Sequence, residues 1–345
     1  MATSVTVIRG DGVGPEVIDA AVAVLESSGV KLALEFAEAG AVANIKMSDE
    51  LPDETLRSIG RTRTCLKGPT ETPIAAGHRS ADARLRVALD LYATVRPVSS
   101  YSGVATPFSD VDLAIVREIS EGEYAGIERY VDHDGEVAEC TSRTTRVASQ
   151  RIVRYAFDYA VRTHRPSVTL VHKANALKLT SGLFLEAGRD MAKHYTGVKL
   201  EEMIVDDVAT QLVTNPSCFG VIVAPNLIGD ILSEMAAGLV GGLSVAAGVN
   251  VGEAAAVFEP AHGTAPDIAG KGVANPTAAI LAGAMLLRHL GEVEAAGRID
   301  TAVRLVIAER RHLTPDLGGR ASTVEFTDSV AAAVRTLRSK AMSLR

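Results

Sequence analysis

Short runs of apolar, often β-branched residues alternate along the chain with longer stretches whose apolar positions recur every three or four residues. Residues 4–8, 111–116, 167–172 and 221–224 form continuous apolar runs and predict buried strands. Residues 15–28, 149–163 and 181–194 carry the helical period. The clearest helix signal opens at Asn275-Pro276 and runs to His289, with Asn as N-cap, Pro at the first helical position, a basic last turn and Gly291 just beyond. Strands followed by helices predict an α/β protein with a largely parallel sheet. Residues 125–145 break this pattern: the turn Asp132-His133-Asp134-Gly135 lies between β-prone segments and predicts a hairpin or arm. No internal repeat or linker-like segment is evident.

Composition narrows the class. The chain has 345 residues, 47% of them hydrophobic and 22% charged, which excludes a disordered chain and is long enough for two domains. A net charge of −7 builds no broad basic surface and argues against nucleic-acid binding. Aromatic residues at 4% argue equally against base stacking. Cys65, Cys140 and Cys218 are widely separated and fit no metal spacing, so a reduced, intracellular protein is expected. No secretory leader opens the sequence and no apolar stretch reaches the ~18 residues of a membrane span, so a cytoplasmic protein without membrane contact is expected.

Several motifs bear on chemistry. Gly10-Asp11-Gly12-Val13-Gly14-Pro15 follows a strand and opens a helix, but its third glycine falls one residue early for a dinucleotide fingerprint, so a tight strand-to-helix turn is the reading. In Gly270-Lys271-Gly272 the preceding Gly263 is too far back for a phosphate loop, and no Ser or Thr follows to hold magnesium. Asp230 and Glu234, spaced i, i+4 where a strand runs into a helix, share one helical face, and oxygen-only ligands suit Mg²⁺ or Mn²⁺. Alone, such a pair is usually just a solvated face, and Asp206-Asp207 is as ambiguous. Arg86, Arg96 and Arg117 stand at or beside strand or helix ends, where arginine forks clamp carboxylates. Taken singly, each reads better as a surface ion pair. Lys173 ends another buried strand, as a snorkelling charge or a tuned base, and Tyr124 by itself reads as packing.

Taken together, the ordered segments resemble the metal-dependent β-decarboxylating dehydrogenases, the family of isocitrate, 3-isopropylmalate and homoisocitrate dehydrogenases, and the NAD-dependent isocitrate enzymes in particular. They are Gly10-Asp11-Gly12-Val13-Gly14-Pro15-Glu16, Lys67-Gly68-Pro69, Leu89-Asp90-Leu91-Tyr92, His262-Gly263-Thr264-Ala265-Pro266 and Asp316-Leu317-Gly318-Gly319, and they span nearly the whole chain. The resemblance implies an α/β, isocitrate/isopropylmalate dehydrogenase-like fold of two domains around a cleft, which is not a Rossmann fold. A large cofactor-binding domain is expected from residues 1–91 plus 244–345. A small domain with the metal site and dimer interface is expected from residues 92–243. A homodimer whose active sites share residues is also implied.

The same resemblance distributes roles. Arg86, Arg96 and Arg117 match the arginines that hold the malate moiety, and Ser80 matches the serine that meets the third carboxylate of isocitrate. Asp230, Glu234 and, from the neighbouring subunit, Asp206 match the ligands of Mg²⁺ or Mn²⁺. Tyr124 matches the acid that protonates the enol carbon, and Lys173 of the neighbour matches the base side. His262, Gly263, Thr264, Ala265, Asp267, Ile268, Asn275 and Asn175 match cofactor-binding positions. NADP forms carry Lys and Tyr where this chain has Asp267 and Ile268. A carboxylate accepts from ribose hydroxyls and repels a 2′-phosphate, so NAD is the implied cofactor. Chemically, the set suits oxidation of a 2-hydroxy acid: the hydroxyl proton is removed, hydride leaves C2, and a dication stabilises the developing charge.

The departures concern the substrate. Isocitrate enzymes read Ser-x-Asn where this chain has Ser80-Ala81-Asp82, and a carboxylate at Asp82 repels a substrate carboxylate unless paired, with Arg84 or Arg79 as the expected partner. Ile119 replaces the usual Asn, Glu234 an Asp, and the Gly242–Gly248 stretch lacks a Pro-Ser pair. Isocitrate remains the expected substrate. The alternatives are an isocitrate analogue with a different third acidic group, such as a phosphonate met by Arg84, or homoisocitrate or 3-isopropylmalate. A non-catalytic regulatory subunit is the alternative of another class.

Overall fold

The computed structural model describes residues 2–72 and 80–343. The chain divides into two compact units: Met1–Leu89, Ser100–Ser109 and Val240–Arg345 form the first, and Asp90–Ser99 with Asp110–Leu239 the second. In chain order the first unit supplies β1 (Thr3–Ile8), α1 (Gly14–Ser27), β2 (Leu32–Ala37), α2 (Ala41–Met47), α3 (Asp53–Thr62), β3 (Thr64–Lys67) and α4 (Ala81–Ala88). The second supplies β4 (Leu91–Ser99), β5 (Asp112–Glu118), β6 (Glu128–Tyr130), β7 (Ala138–Cys140), α5 (Arg146–Arg162) and β8 (Ser167–His172). It continues with α6 (Thr180–Ala192), β9 (Lys199–Ile204), α7 (Val205–Thr214), β10 (Val221–Ala224) and α8 (Asn226–Gly238). The first unit resumes with β11 (Ala247–Gly252), β12 (Ala256–Pro260), α9 (Thr277–His289), α10 (Val293–Glu309) and α11 (Thr323–Ser343).

In the first unit the strand order is β2-β1-β3-β12-β11, parallel except for the antiparallel pair β11–β12. That reversal separates it from the all-parallel mononucleotide-binding arrangement. With few aromatics in the chain, the core is built from small and branched side chains: Val7, Ile8, Leu66 and Val257 in the strands and Ala278, Ala279, Ala282 and Ala284 on α9 are fully buried. Small residues let helices approach closely; a Cβ on Gly283 would lie 3.3 Å from Leu25 of α1. Residues 100–109 return to this unit because Arg304 of α10 donates to the Ser100 carbonyl at 3.1 Å and lies over the Tyr101 ring at 4.9 Å. That excursion has no counterpart in the division expected from the sequence.

In the second unit the order is β4-β5-β10-β8-β9, with β4–β5 antiparallel and the others parallel. The arm also forms: β6 and β7 pair antiparallel, and Asp132 closes their turn by accepting from the Glu136 and Val137 amides, both at 3.0 Å. Two local expectations shift. Helix α5 begins at Arg146, three residues earlier than the pattern suggests, because Thr145 caps it by accepting from the Ala148 amide at 3.2 Å. Helix α9 begins at Thr277 with Pro276 as N-cap, so Asn275 stands one position outside, although its carboxamide oxygen still accepts from the Thr277 amide at 3.0 Å. No described helix is long and apolar enough to cross a membrane.

Candidate active site

In the second unit, one helix face meets two adjacent strands. Arg96 of β4 and Arg117 of β5 lie one diagonal step apart, since Arg96 is opposite Ile115 and Thr94 is opposite Arg117. Both arginines therefore point to the same face of the sheet. Arg117 is the penultimate residue of β5, beside a strand end as expected, whereas Arg96 lies inside β4. Helix α8 crosses that face, and its i, i+4 carboxylates meet the two guanidinium groups: Asp230 pairs with Arg117, and Glu234 pairs with Arg96 at 2.7 Å. Gly229 permits the approach, because a Cβ there would lie 2.8 Å from the Arg117 side chain. Arg117 is 3% exposed, so its charge needs satisfaction; Asn226 adds to it, accepting from Nε at 3.0 Å and Nη2 at 2.8 Å.

Tyr124 is delivered to the same place by the loop after β5. Glu118 accepts from the Ser120 amide at 2.8 Å and the Glu121 amide at 3.0 Å, while burial, the strongest influence on it, pushes its carboxyl above the ordinary range. Glu121 in turn grips Thr145 through its amide and hydroxyl, and Asn226 donates to the Glu121 carbonyl at 2.7 Å. So anchored, the Tyr124 hydroxyl donates to Asp230 Oδ2 at 3.1 Å, with the Arg117 guanidinium 5.3 Å from its ring centre.

Lys173 and Asp206 form a second cluster in this unit. Lys173 directly follows β8, its amide donates to Ser181 Oγ at 2.7 Å, and its ammonium pairs with Asp206 in the first turn of α7. Asn175 is exposed in the turn that follows. Among the described residues no three His, Cys, Asp or Glu side chains gather as metal ligands. Asp230 and Glu234 give a hard dication oxygen donors from one helix face, which fits part of a Mg²⁺ or Mn²⁺ site, while Asp206 stays with Lys173.

In the first unit, Ser80 caps α4, its hydroxyl accepting from the Ala83 amide at 3.3 Å. Asp82 is paired, but not by the expected partner. Arg84 is committed to Asp49 at 2.6 Å and also reaches the Leu51 carbonyl, so it supplies no spare charge for a third acidic group; Arg79 lies outside the described residues. The partner of Asp82 is Lys67, the last residue of β3, at 2.9 Å, with the Thr70 hydroxyl also donating at 2.9 Å. Lys67 is buried and also pairs with Glu259 of β12 at 3.1 Å, which accepts from Asn250 at 2.7 Å. Burial pushes Glu259 up, but Lys67 and then Arg86 outweigh it and hold the carboxyl at about 2. Burial likewise pushes Lys67 down, and Asp82 and Glu259 more than offset it, leaving the ammonium above the ordinary lysine range.

The sequence reading missed Lys67 and Glu259 as a functional pair; a lysine closing a fully buried strand was the available signal. Among the described residues Lys67 thus serves both Asp82 and Glu259, with Arg86 adding positive charge near Glu259. Asp82→Asn removes one negative charge, so affinity for an anionic ligand at this turn is expected to rise about tenfold. Unchanged affinity would remove Asp82 from ligand discrimination.

The loop at 262–272 also lies in the first unit. Burial holds His262 below the ordinary imidazole range, and its Nδ1 lies 2.9 Å from the Gly263 carbonyl oxygen. Its Nε2 is buried without a partner among the described residues, and Asp267 is exposed with none for its carboxylate. An unpaired ring nitrogen and an open acceptor on one loop fit a hydroxyl-bearing ligand such as a ribose. Asn275 is held by Asp316, to which it donates at 2.9 Å, and the same carboxylate accepts from Ser244 at 2.6 Å.

Comparison with known proteins carries these features to a family. The sequence model of isocitrate/isopropylmalate dehydrogenase matches residues 4–330. The chain belongs to the isocitrate/isopropylmalate dehydrogenase family. Membership makes it an oxidoreductase of the isocitrate-dehydrogenase type, with the family's two-domain α/β fold. The crystal structure of isocitrate dehydrogenase from Methylococcus capsulatus is similar at a TM-score of 0.94 and 52% identity, covering 97% of this chain and all (100%) of that one. The mitochondrial NAD isocitrate dehydrogenase subunit alpha of Homo sapiens is 44% identical over 335 residues, 97% of this chain and 91% of its own. The mitochondrial NAD isocitrate dehydrogenase catalytic subunit 5 of Arabidopsis thaliana is 44% identical over 326 residues, 94% of this chain and 87% of its own. These mitochondrial relatives overturn the cytoplasmic location expected from the sequence. The residues that build the fold and the site carry no address, so composition was weak ground for a compartment.

Proposed function

We propose that the chain catalyses the NAD-dependent oxidative decarboxylation of isocitrate to 2-oxoglutarate, with Mg²⁺ or Mn²⁺ as the metal. The observation that carries the reading is the convergence of Tyr124, Asp230, Glu234, Arg96 and Arg117 on one face of α8. Arg96, Arg117 and Arg86 orient the substrate carboxylates, and Ser80 meets the third. Lys173 takes the C2 hydroxyl proton, and NAD, when bound, would accept the hydride. Tyr124 holds the proton that C3 receives once CO₂ has left. A dication would be held by Asp230, Glu234 and Asp206 of the partner subunit and would supply Lewis-acid stabilisation of negative charge on the C2 oxygen. Among the described residues Asp206 pairs with Lys173 and does not gather with Asp230 and Glu234, which fits a homodimer in which Lys173 and Asp206 serve the neighbouring site.

His262, Gly263, Thr264, Ala265, Asp267, Ile268 and Asn275, with Asn175, make up the proposed NAD site. The open Asp267 carboxylate supports NAD over NADP.

A second reading has its own support. The human relative bears the name of a subunit, which favours one component of a larger assembly, including a non-catalytic regulatory one, over a stand-alone enzyme. Against it, Tyr124, Lys173 and all the acidic positions are filled, and the Arabidopsis relative is named a catalytic subunit. Among substrates, a branched alkyl group suits the polar Ser80–Asp82 turn least, and a phosphonate-bearing analogue or homoisocitrate is the alternative to isocitrate. The test is a panel of 2-hydroxy acids differing at C3, assayed with Mn²⁺ and either NAD or NADP. Isocitrate with NAD is expected to give the highest kcat/KM, at least about a hundredfold above NADP. Comparable rates with both cofactors would contradict the assignment of Asp267.

A further inference from the structure

Gly270-Lys271-Gly272 resembles a phosphate loop without being one, and its chemistry is used internally. Gly270 and Gly272 both adopt positive φ, +74° and +64°, which turns their amides into one concavity of the kind that binds anions. The anion there is the side chain of Glu16: one carboxylate oxygen accepts from the Gly270 amide and the other from the Gly272 amide, the latter at 3.1 Å.

Glu16 is the third residue of α1, where a glutamate ordinarily turns back to its own helix's N-cap amide. That amide, of Val13, donates instead to the Thr264 carbonyl at 2.9 Å. The same loop therefore both accepts from the start of α1 and donates to it. Gly12 makes the approach possible, since a Cβ there would lie 2.0 Å from the Thr264 oxygen. Between these two anchors run two successive turns, closed by the Ile268 amide on the Ala265 carbonyl and the Lys271 amide on the Ile268 carbonyl, both at 3.2 Å. Asp267 sits in the first of them, exposed and without a side-chain partner among the described residues that could hold it in place.

We infer that Glu16 is a positioning residue for the cofactor: by filling the anion concavity of Gly270–Gly272 with an internal carboxylate, it fixes the loop that presents Asp267 to the adenosine ribose. The inference rests on the NAD-binding reading of that loop. Its contribution is to NAD affinity, not to the chemical step, because its carboxylate is occupied by the Gly270 and Gly272 amides of the loop.

Full-length wild-type, Glu16→Gln and Glu16→Ala proteins are compared by calorimetric NAD titration, steady-state kinetics and hydrogen exchange of the 262–273 segment without cofactor. Both variants are expected to raise the NAD Kd and KM about tenfold while kcat stays within about twofold, two charge-assisted hydrogen bonds being lost. Exchange at Gly270 and Gly272 should accelerate in Glu16→Ala. Acetate should then restore NAD affinity to Glu16→Ala and leave the wild type unchanged. An NAD Kd within about twofold of wild type in both variants, with exchange unaltered, overturns the role of Glu16 alone. A loss of affinity that acetate does not reverse, accompanied by lower thermal stability, also overturns it, leaving only a structural contact. Failure of the wild type to bind NAD would contradict the reading of the loop itself.

Discussion

Lys173→Met is expected to lower kcat by at least about a thousandfold while leaving the folded protein intact. Lys173 lies just beyond β8, its side chain part-exposed and paired with an Asp206 carboxylate that is itself more exposed. Exposed ion pairs contribute only ~0–1 kcal/mol, so deleting this ammonium costs little stability. Backbone order at the position is kept by the amide bond to Ser181 Oγ and by the Ala176 and Leu177 amides returning to the Lys173 carbonyl, none of which needs the side chain. Activity should therefore vanish with no more than about a 2 °C change in Tm. Assay with isocitrate, NAD and Mn²⁺ beside a thermal melt makes the comparison; retained turnover refutes the proton-transfer role.

Lys67→Met is expected to do the reverse and strike the fold. The Lys67 side chain is 3% exposed and serves two carboxylates, Asp82 and Glu259. Its removal leaves both without their shared cation, a loss of about 3–5 kcal/mol in unfolding free energy. The pH dependence has a definite sign. Glu259 is depressed from 4.5 to about 2, so its contribution is full above 4.5 and is lost as pH falls toward 2. Lys67 is raised above 10.5, so its contribution is full below that value and fades only at higher pH. Urea unfolding should accordingly show the largest gap between wild type and variant from about pH 5 to 10, narrowing in acid. Adding Glu259→Gln to Lys67→Met should recover part of the loss, since the two are coupled. A gap below about 1 kcal/mol at pH 7 would show that the cluster is not what holds β3, β12 and α4 together.

Features encoded within a few residues could be read from the sequence. The carboxylate pair on α8 follows from i, i+4 spacing, and the arm follows from its Asp-rich turn. Contacts between distant segments could not be read in this way. Arg84 was the nearest cation to Asp82, yet residues two apart on a helix do not face each other, and α4 turns Arg84 toward Asp49 instead. The true partner, Lys67, comes from the end of a strand, and Glu259 arrives from β12 because β12 pairs with β3. The Glu16 carboxylate joins a turn 254 residues away through two positive-φ glycines, which in sequence looked only like a failed phosphate loop. Asn275 signalled a helix start correctly but not its own place, because Pro276 took the cap position.

The central proposal is that this chain by itself oxidises and decarboxylates isocitrate. The most direct measurement incubates the purified chain, without any other subunit, with isocitrate, NAD and Mn²⁺, and follows NADH, CO₂ and 2-oxoglutarate together. The predicted result is equimolar release of all three, stopped by a chelator and restored by Mn²⁺. Absence of turnover with every acid in the panel, together with stimulation of a separate catalytic subunit, would contradict it and establish the regulatory reading.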